Sequence, residues 1–212
     1  MHFLTQAIIA FLKANEQAYF LLVGTGSCED GVCAQFSEQG LEDRFRKLGL
    51  LDSRKQLAAA YAAMDVFAFA SHSETQGMVL TEAMAAGAPV VALDASGVRE
   101  VVRDGVNGRL LQDENVQEFV DALQDVYRMP AEDLQGLKTG ALRTAEDFSL
   151  SRSADKALAI YADLISQSFR HRHNEYSQLH RVLQLVKAEW DIIESFAAAA
   201  NISLFSARSH ME

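Results

Sequence analysis

A chain of 212 residues with 49% hydrophobic side chains is long enough to bury a core of ordinary size and too apolar for a disordered segment. A formal net charge of −10 argues against nucleic acid as a partner, because phosphate backbones need a basic face, and against a broadly basic membrane-binding surface. The two cysteines, Cys28 and Cys33, are too few for a disulfide framework and read as thiols, and they lack neighbours at zinc spacing, so no metal site is expected.

Along the chain, Phe3, Leu4, Ile8, Ile9, Phe11 and Leu12 recur at helical spacing and predict a first helix. That stretch has no basic leader and no small-residue cleavage site, so it reads as an amphipathic helix, not a signal peptide. "AYFLLVGTGS" is a short apolar run ending in Gly24-Thr25-Gly26, a buried strand followed by a tight loop. Residues from about Ala34 to Phe45 read as a second helix. "KQLAAAYAAMD" reads as a third, and "VFAFAS" as a buried strand. In "SETQGMVLTEAMAAGAPVVALD", from Ser73 to Asp94, a loop leads into a helix from about Gly77 to Ala86. A Gly-Ala-Pro break and the strand "PVVAL" follow it. A short helix near Val98 to Val102 and the turn-rich "RDGVNGRLL" with a last short strand come next. From Asn115 onward the sequence reads as helix.

Short apolar strands alternating with helices imply an α/β fold with a Rossmann-like, doubly wound parallel sheet. This domain is expected over residues 1–150, with a helical C-terminal extension over residues 151–212. Sheets of this kind bind ligands at the carboxyl ends of their strands. The strand-end loops are Gly24-Thr25-Gly26, Ser71 to Gln76 and Asp94 to Gly97, and they are expected to line one crevice. In the extension, Leu179, Val182, Leu183, Val186, Trp190 and Ile193 form one apolar stripe. It calls for a cover: this domain, another domain, a second subunit, or a membrane face. With no run of eighteen apolar residues, no transmembrane span is expected. A cytoplasmic location follows by default, with peripheral contact to the inner membrane face left open.

Glu74 and Glu82 stand around the predicted start of the Gly77 helix. The N–H groups of Gly77, Met78 and Val79 have no intrahelical partners there, and with the helix dipole they make an anion site. Gly77 lets a ligand come close to the backbone. Glu82 lies one turn beyond Met78 on the same face, where a carboxylate is useful for accepting hydrogen bonds from ribose hydroxyls. Glu74 projects from the loop and can accept from sugar hydroxyls beyond the phosphates. A plainer reading stands beside this one. Ser71-x-x-Glu74 resembles a capping box, and Glu82 can be an ordinary solvated helix residue.

The ordered set Ser71, Glu74, Gly77, Glu82-Ala83-Met84-Ala85-Ala86-Gly87 and Pro89-Val90-Val91-Ala92 resembles the donor-binding half of GT-B retaining glycosyltransferases of family 4, also called group 1. "FLLVGTGS", "LEDRFRKLGLLD" and "LAAAYAAMDVFAFAS" match upstream, so the resemblance covers about residues 3 to 128. It implies a hexosyltransferase that uses a nucleotide-sugar co-substrate, with UDP-sugar the commonest in the family, and neither cofactor nor metal. It implies Glu74 as the catalytic carboxylate at the transferred sugar and Glu82 as the ribose ligand. Gly77, Met78 and Val79 are implied as backbone donors to sugar and phosphates, Gly24 as facing the diphosphate, and Gly49 and Leu50 as reading the base. Helix-terminal and basic charge takes the place of a divalent ion.

Three departures qualify it. The family's Arg-x4-Lys pair and its N-terminal acceptor domain have no counterpart in this sequence, which implies a missing acceptor domain or partner subunit and little activity for this chain alone. "ETQG" replaces the more usual E-x-F-G. The alternatives are a non-catalytic, degenerate transferase-like module that acts in binding or assembly, through self-association or membrane contact of its last helix, and a nucleotide-sugar epimerase. A dehydrogenase fits poorly, because Gly24-Thr25-Gly26 lacks the following G-x-x-G spacing. His72, Arg99 and the run Arg170-His171-Arg172-His173 read as loop, ion-pair and turn residues before any functional role.

Overall fold

The computed structural model describes residues 2–26, 29–71, 73–165, 167 and 183–188. The chain divides into two compact units, Met1–Ser153 and Ala154–Glu212.

The first unit is α/β. Its elements are α1 (His2–Ala14), β1 (Phe20–Val23), α2 (Glu29–Glu38), β2 (Phe45–Gly49), α3 (Arg54–Ala62), β3 (Phe67–Phe69), α4 (Met78–Ala85), β4 (Val90–Leu93), α5 (Ser96–Arg99), β5 (Gly108–Leu111), α6 (Val116–Tyr127) and α7 (Ala131–Asp147). A 3-10 turn, Glu42–Arg44, leads into β2. All strand pairs are parallel, as an alternation of strands and return helices requires. The described strands form two sheets, β1-β2 and β3-β4-β5.

Each element follows from its residues. α1 buries Leu4, Ala7, Ile8, Phe11 and Leu12, the i, i+3, i+4, i+7, i+8 stripe of an amphipathic helix. Its apolar face meets Phe119, Leu123 and Val126 of α6 in the main core. Phe3 lies edge-on to Phe119 with ring centroids 5.6 Å apart. Arg44 ties down the C-terminal end of α1 by donating to the carbonyls of Leu12 at 2.7 Å and Asn15 at 3.0 Å, which also accept the backbone N–H groups of Asn15 and Ala18. All four residues of β4 are buried, as a central strand covered on both faces demands.

The sequence reading placed helix up to Phe45 and missed β2. The helix α2 starts earlier and stops at Glu38, and "FRKLG" is extended. The strand is hard to read because Arg46, Lys47 and Leu48 are exposed and only its ends are partly covered. Phe45 anchors it, stacked on Phe36 at 4.4 Å and on Phe20 at 5.7 Å. Two aromatic contacts and the ladder to β1 replace the apolar alternation that marks most strands.

A second core lies under α4, β4 and α5, with Leu80, Met84, Val98 and Val101 buried. α7 seals it. Asn107, fully buried in the turn before β5, donates to the Val101 carbonyl and to the Thr144 hydroxyl, both at 2.9 Å, and accepts from the Arg103 N–H at 2.8 Å. "DGVNG" is thus a turn whose asparagine also fastens α7 to the sheet.

In the second unit, residues 154–165 are helical, as are residues 183–188. Leu158, Tyr161, Leu164, Ile165, Leu183 and Val186 are exposed. Most of the apolar stripe expected near Trp190, the run Arg170 to His173, and also Cys28 and His72, lie outside the described residues. No helix among the described residues is long and apolar enough to cross a membrane.

Candidate donor-binding site

The candidate residues sit where parallel strands end. At the ends of β1 and β2, the Gly24 N–H donates to the Gly49 carbonyl at 2.8 Å. Both glycines have positive φ, +111° and +65°, a conformation that L side chains rarely adopt. These two predicted residues, far apart in sequence, form one turn pair, with Leu50 next to it and strongly exposed.

The second group follows β3 and β4. Gly77 is the N-cap of α4, with φ +62°, so α4 begins at Met78, one residue later than the sequence suggested. Glu74 reaches forward to this helix start. Its Oε1 accepts the N–H groups of Thr75 at 3.1 Å, Gln76 at 3.0 Å and Gly77 at 2.8 Å. The bonds from Gln76 and Gly77, with Thr75 adding to them, hold the Glu74 carboxyl below the usual carboxylate range. Glu74 thus fills the nest of N–H groups at the helix entry with its own carboxylate. Of the three donors proposed for a ligand, Gly77 is engaged. Met78 and Val79 lie in the first turn, where α4 offers them no i−4 carbonyl.

Gly97 locks this loop in place. Its N–H donates to the Glu74 carbonyl at 3.0 Å. A Cβ on Gly97 would meet the Thr75 carbonyl carbon at 2.6 Å, and one on Gly77 would meet the Gly97 oxygen at 2.8 Å. Two glycines therefore let the Ser71 to Gln76 loop lie directly on the Asp94 to Gly97 loop. Nearby, Arg99 pairs with Asp94 at 2.9 Å, which makes Arg99 a partner of the β4 end and not of its neighbour Glu100.

Glu82 lies one turn into α4 on an exposed position. Sequence reasoning missed its partner. The Tyr61 hydroxyl donates to Glu82 Oε2 at 3.0 Å. The Tyr61 ring is buried from α3 against Ala83 and Ala88, and it meets Phe67 edge-on at 5.8 Å. Burial first, then the hydrogen bond and charge of Glu82, push the Tyr61 phenol far above its ordinary value, so it stays a donor at any physiological pH. The signal was present in "AAAYAAMD", where one tyrosine interrupts an alanine run.

Among the described residues, no three His, Cys, Asp or Glu side chains gather as metal ligands.

Residues 1–129 match the family model described as Glycosyl transferases group 1. The chain belongs to this family. It is 35% identical over 145 residues to a D-inositol 3-phosphate glycosyltransferase of Mycobacterium avium (strain 104), covering 68% of this chain and 34% of that protein. The corresponding protein of Mycolicibacterium vanbaalenii is 38% identical over 145 residues, with 68% and 31% covered. The chain thus spans about a third of the length of these curated relatives. Among solved structures, Anabaena Alr3699/HepE in complex with UDP and glucose superposes with a TM-score of 0.63 at 28% identity, over 77% of this chain and 44% of that one. The pneumococcal O-GlcNAc transferase GtfA, in complex with UDP and GlcNAc, shares the fold with a TM-score of 0.67 at 22% identity, over 77% and 33%. Group 1 membership and the GT-B fold of such neighbours agree with the sequence resemblance.

Proposed function

We propose that the first unit holds the nucleotide-sugar donor of a retaining hexosyltransferase, with UDP-sugar as co-substrate and a sugar or lipid as acceptor. The observation that carries the reading is the α4 entry. Glu74 stands at the helix start, two first-turn N–H groups follow, and Glu82 comes one turn later with its carboxylate held by Tyr61. The HepE relative, with UDP and glucose bound, supports the same ligand class.

In this reading Glu82 accepts from the ribose hydroxyls, the Met78 and Val79 N–H groups face the diphosphate or sugar, and the helix dipole favours that negative charge. Gly24 lies by the diphosphate and the Gly49–Leu50 turn by the base. Glu74 orients the sugar and stabilises positive charge at its anomeric carbon. Transfer breaks the bond from that carbon to the diphosphate oxygen and forms one to the acceptor oxygen on the same face. The acceptor proton leaves with the nucleoside diphosphate. No metal is required, because helix-terminal charge does the ion's work. The acceptor side comes from polypeptide outside residues 1–212, since closure between two halves excludes water from such a cleft. This chain alone is then a donor binder with little turnover, at work in the cytoplasm.

A non-catalytic module is the second reading. One observation favours it: the three N–H bonds to Glu74 make that residue a complete helix-entry cap. Titration with UDP, GDP and their glucose conjugates separates the two. Donor binding predicts one preferred base, and a Glu74→Gln variant that loses affinity for the glucose conjugate more than for the bare diphosphate. Absence of binding to all four compounds overturns the donor reading.

A further inference from the structure

Glu74 is fastened at two points. Its carbonyl accepts the Gly97 N–H at 3.0 Å, and its Oε1 accepts the N–H groups of Thr75, Gln76 and Gly77 at 3.1, 3.0 and 2.8 Å. The other carboxylate oxygen, Oε2, makes no hydrogen bond among the described residues, and the residue is only partly buried. Three charge-assisted bonds oppose any swing of the side chain and favour its ionised form. The carboxylate thus keeps both its charge and its place when a ligand arrives.

That place adjoins the first turn of α4. Gly77, whose N–H Glu74 holds, directly precedes Met78, and successive residues lie about 4 Å apart along the chain. A phosphate on the Met78 and Val79 N–H groups therefore stands beside a fixed negative charge. The positive end of the α4 dipole is met first by Glu74 itself. Little else in this part of the chain offsets the carboxylate. Residues 73–100 carry Glu74, Glu82, Asp94 and Glu100 against one cation, Arg99, and Arg99 is paired with Asp94 at 2.9 Å. A sugar on the phosphate changes the balance, because its hydroxyls are donors that Oε2 can accept. Loss of the sugar leaves a terminal phosphate whose second ionisation lies near about pH 6. The bare nucleoside diphosphate then carries about one more negative charge at neutral pH than its sugar conjugate.

We propose that Glu74 is a charge filter that separates substrate from product: its fixed carboxylate accepts from the hydroxyls of a phosphate-linked sugar and repels the terminal phosphate of the bare nucleoside diphosphate. This inference rests on the donor reading and adds a second task for the same side chain. The backbone bonds that make Glu74 a helix-entry cap are what give the filter its rigidity. A mobile carboxylate would turn to solvent as the anion approached, whereas one held by three N–H groups and locked through Gly97 has to be faced. Departure of the sugar removes the attractive contact and leaves the repulsive one, so the spent diphosphate is weakly held.

The test is calorimetric titration of the full chain and of Glu74→Gln with UDP and with UDP-glucose, each at about 0.05 M and about 0.5 M salt. The glutamine amide oxygen can still accept the three N–H groups but carries no charge. Glu74→Ser, a hydroxyl cap, is the second neutral variant, and Glu74→Asp is the charged control. At low salt the neutral variants are expected to bind UDP about 3- to 10-fold tighter than the parent, and UDP-glucose more weakly. The gain for UDP should fall below about twofold at high salt, and Glu74→Asp should show none. UDP affinity unchanged or lowered in the neutral variants overturns the charge filter and leaves the donor reading standing. A gain that salt does not diminish, or that Glu74→Asp shares, does the same, since it assigns the effect to the fold of the loop. Binding of neither ligand by the parent overturns the donor reading, and this inference with it.

Discussion

The N–H of Gly97 donates to the carbonyl of Glu74 at 3.0 Å, and this bond lays the loop after β3 on the loop after β4. The two loops come from strands that pair side by side, so the sheet register fixes where they meet. Glu74, the side chain proposed to meet the sugar, is thus held by backbone, where a Cβ on Gly97 would clash.

A methyl group at that place should therefore disturb the site more than the fold. In Gly97→Ala the new Cβ would press on the Thr75 backbone, and overpacking of this kind costs about 1–3 kcal/mol. The expected outcome is a folded protein with a lowered melting temperature and at least tenfold weaker UDP binding. Unchanged affinity would separate the loop contact from donor binding.

Tyr61→Phe keeps the ring against Ala83 and Phe67 and removes only the hydroxyl that holds Glu82. Loss of one hydrogen bond to a solvent-exposed carboxylate should cost about 1 kcal/mol of stability or less. UDP affinity is expected to fall about 3- to 10-fold, or roughly 0.7–1.4 kcal/mol. The fall should vanish when the ligand is 2′,3′-dideoxy-UDP, which offers Glu82 no hydroxyls. An equal loss for both ligands would assign Tyr61 to packing alone.

Two glycines of α7 make opposite predictions. Gly136 has nothing within 4 Å of an added Cβ, so Gly136→Ala should stabilise the protein by about 0.5–1 kcal/mol through helix propensity and a stiffer unfolded chain. At Gly140 the same methyl runs into the Val106 carbonyl, beside the Asn107–Thr144 bond. Gly140→Ala should lose about 2–3 kcal/mol. Chemical denaturation of both variants checks the pair.

Glu74 also predicts a pH dependence. Its carboxyl is held below its ordinary value of 4.5 in the folded state by the N–H groups of Gln76, Gly77 and Thr75. The unfolded chain thus binds this proton more tightly. The stabilisation is full above about pH 4.5 and is lost as pH falls through the depressed folded value. Parent and Glu74→Gln should differ in unfolding midpoint at pH 7 and converge in acid. A difference that is constant from pH 7 down to acid would remove the cap from the account.

Much of this is legible in the sequence. The stripe from Leu4 to Leu12 has the helical period, and the fully apolar β4 is a short β-branched run bounded by Gly-Ala-Pro, which fits a strand covered on both faces. Glu74, Gly77 and Glu82 stand out through the ordered motif around them, because two carboxylates eight positions apart fit a helix cap and a solvated face equally well. The rest depended on contacts across the sequence. β2 rests on Phe45 stacking with Phe36 and Phe20, and no local pattern announces it. Tyr61 is 21 positions from Glu82, and Gly97 is tied to Glu74 only once β3 and β4 pair. The resemblance supplied their neighbourhood, but not these bonds.

The central claim is that the α4 entry binds the nucleotide of the donor. Calorimetric titration of the purified chain with UDP, beside Glu82→Ala, tests it most directly. The account predicts millimolar or tighter binding by the parent and at least tenfold weaker binding by the variant, about 1.4 kcal/mol. Equal affinity in the two proteins, with both folded, would contradict it.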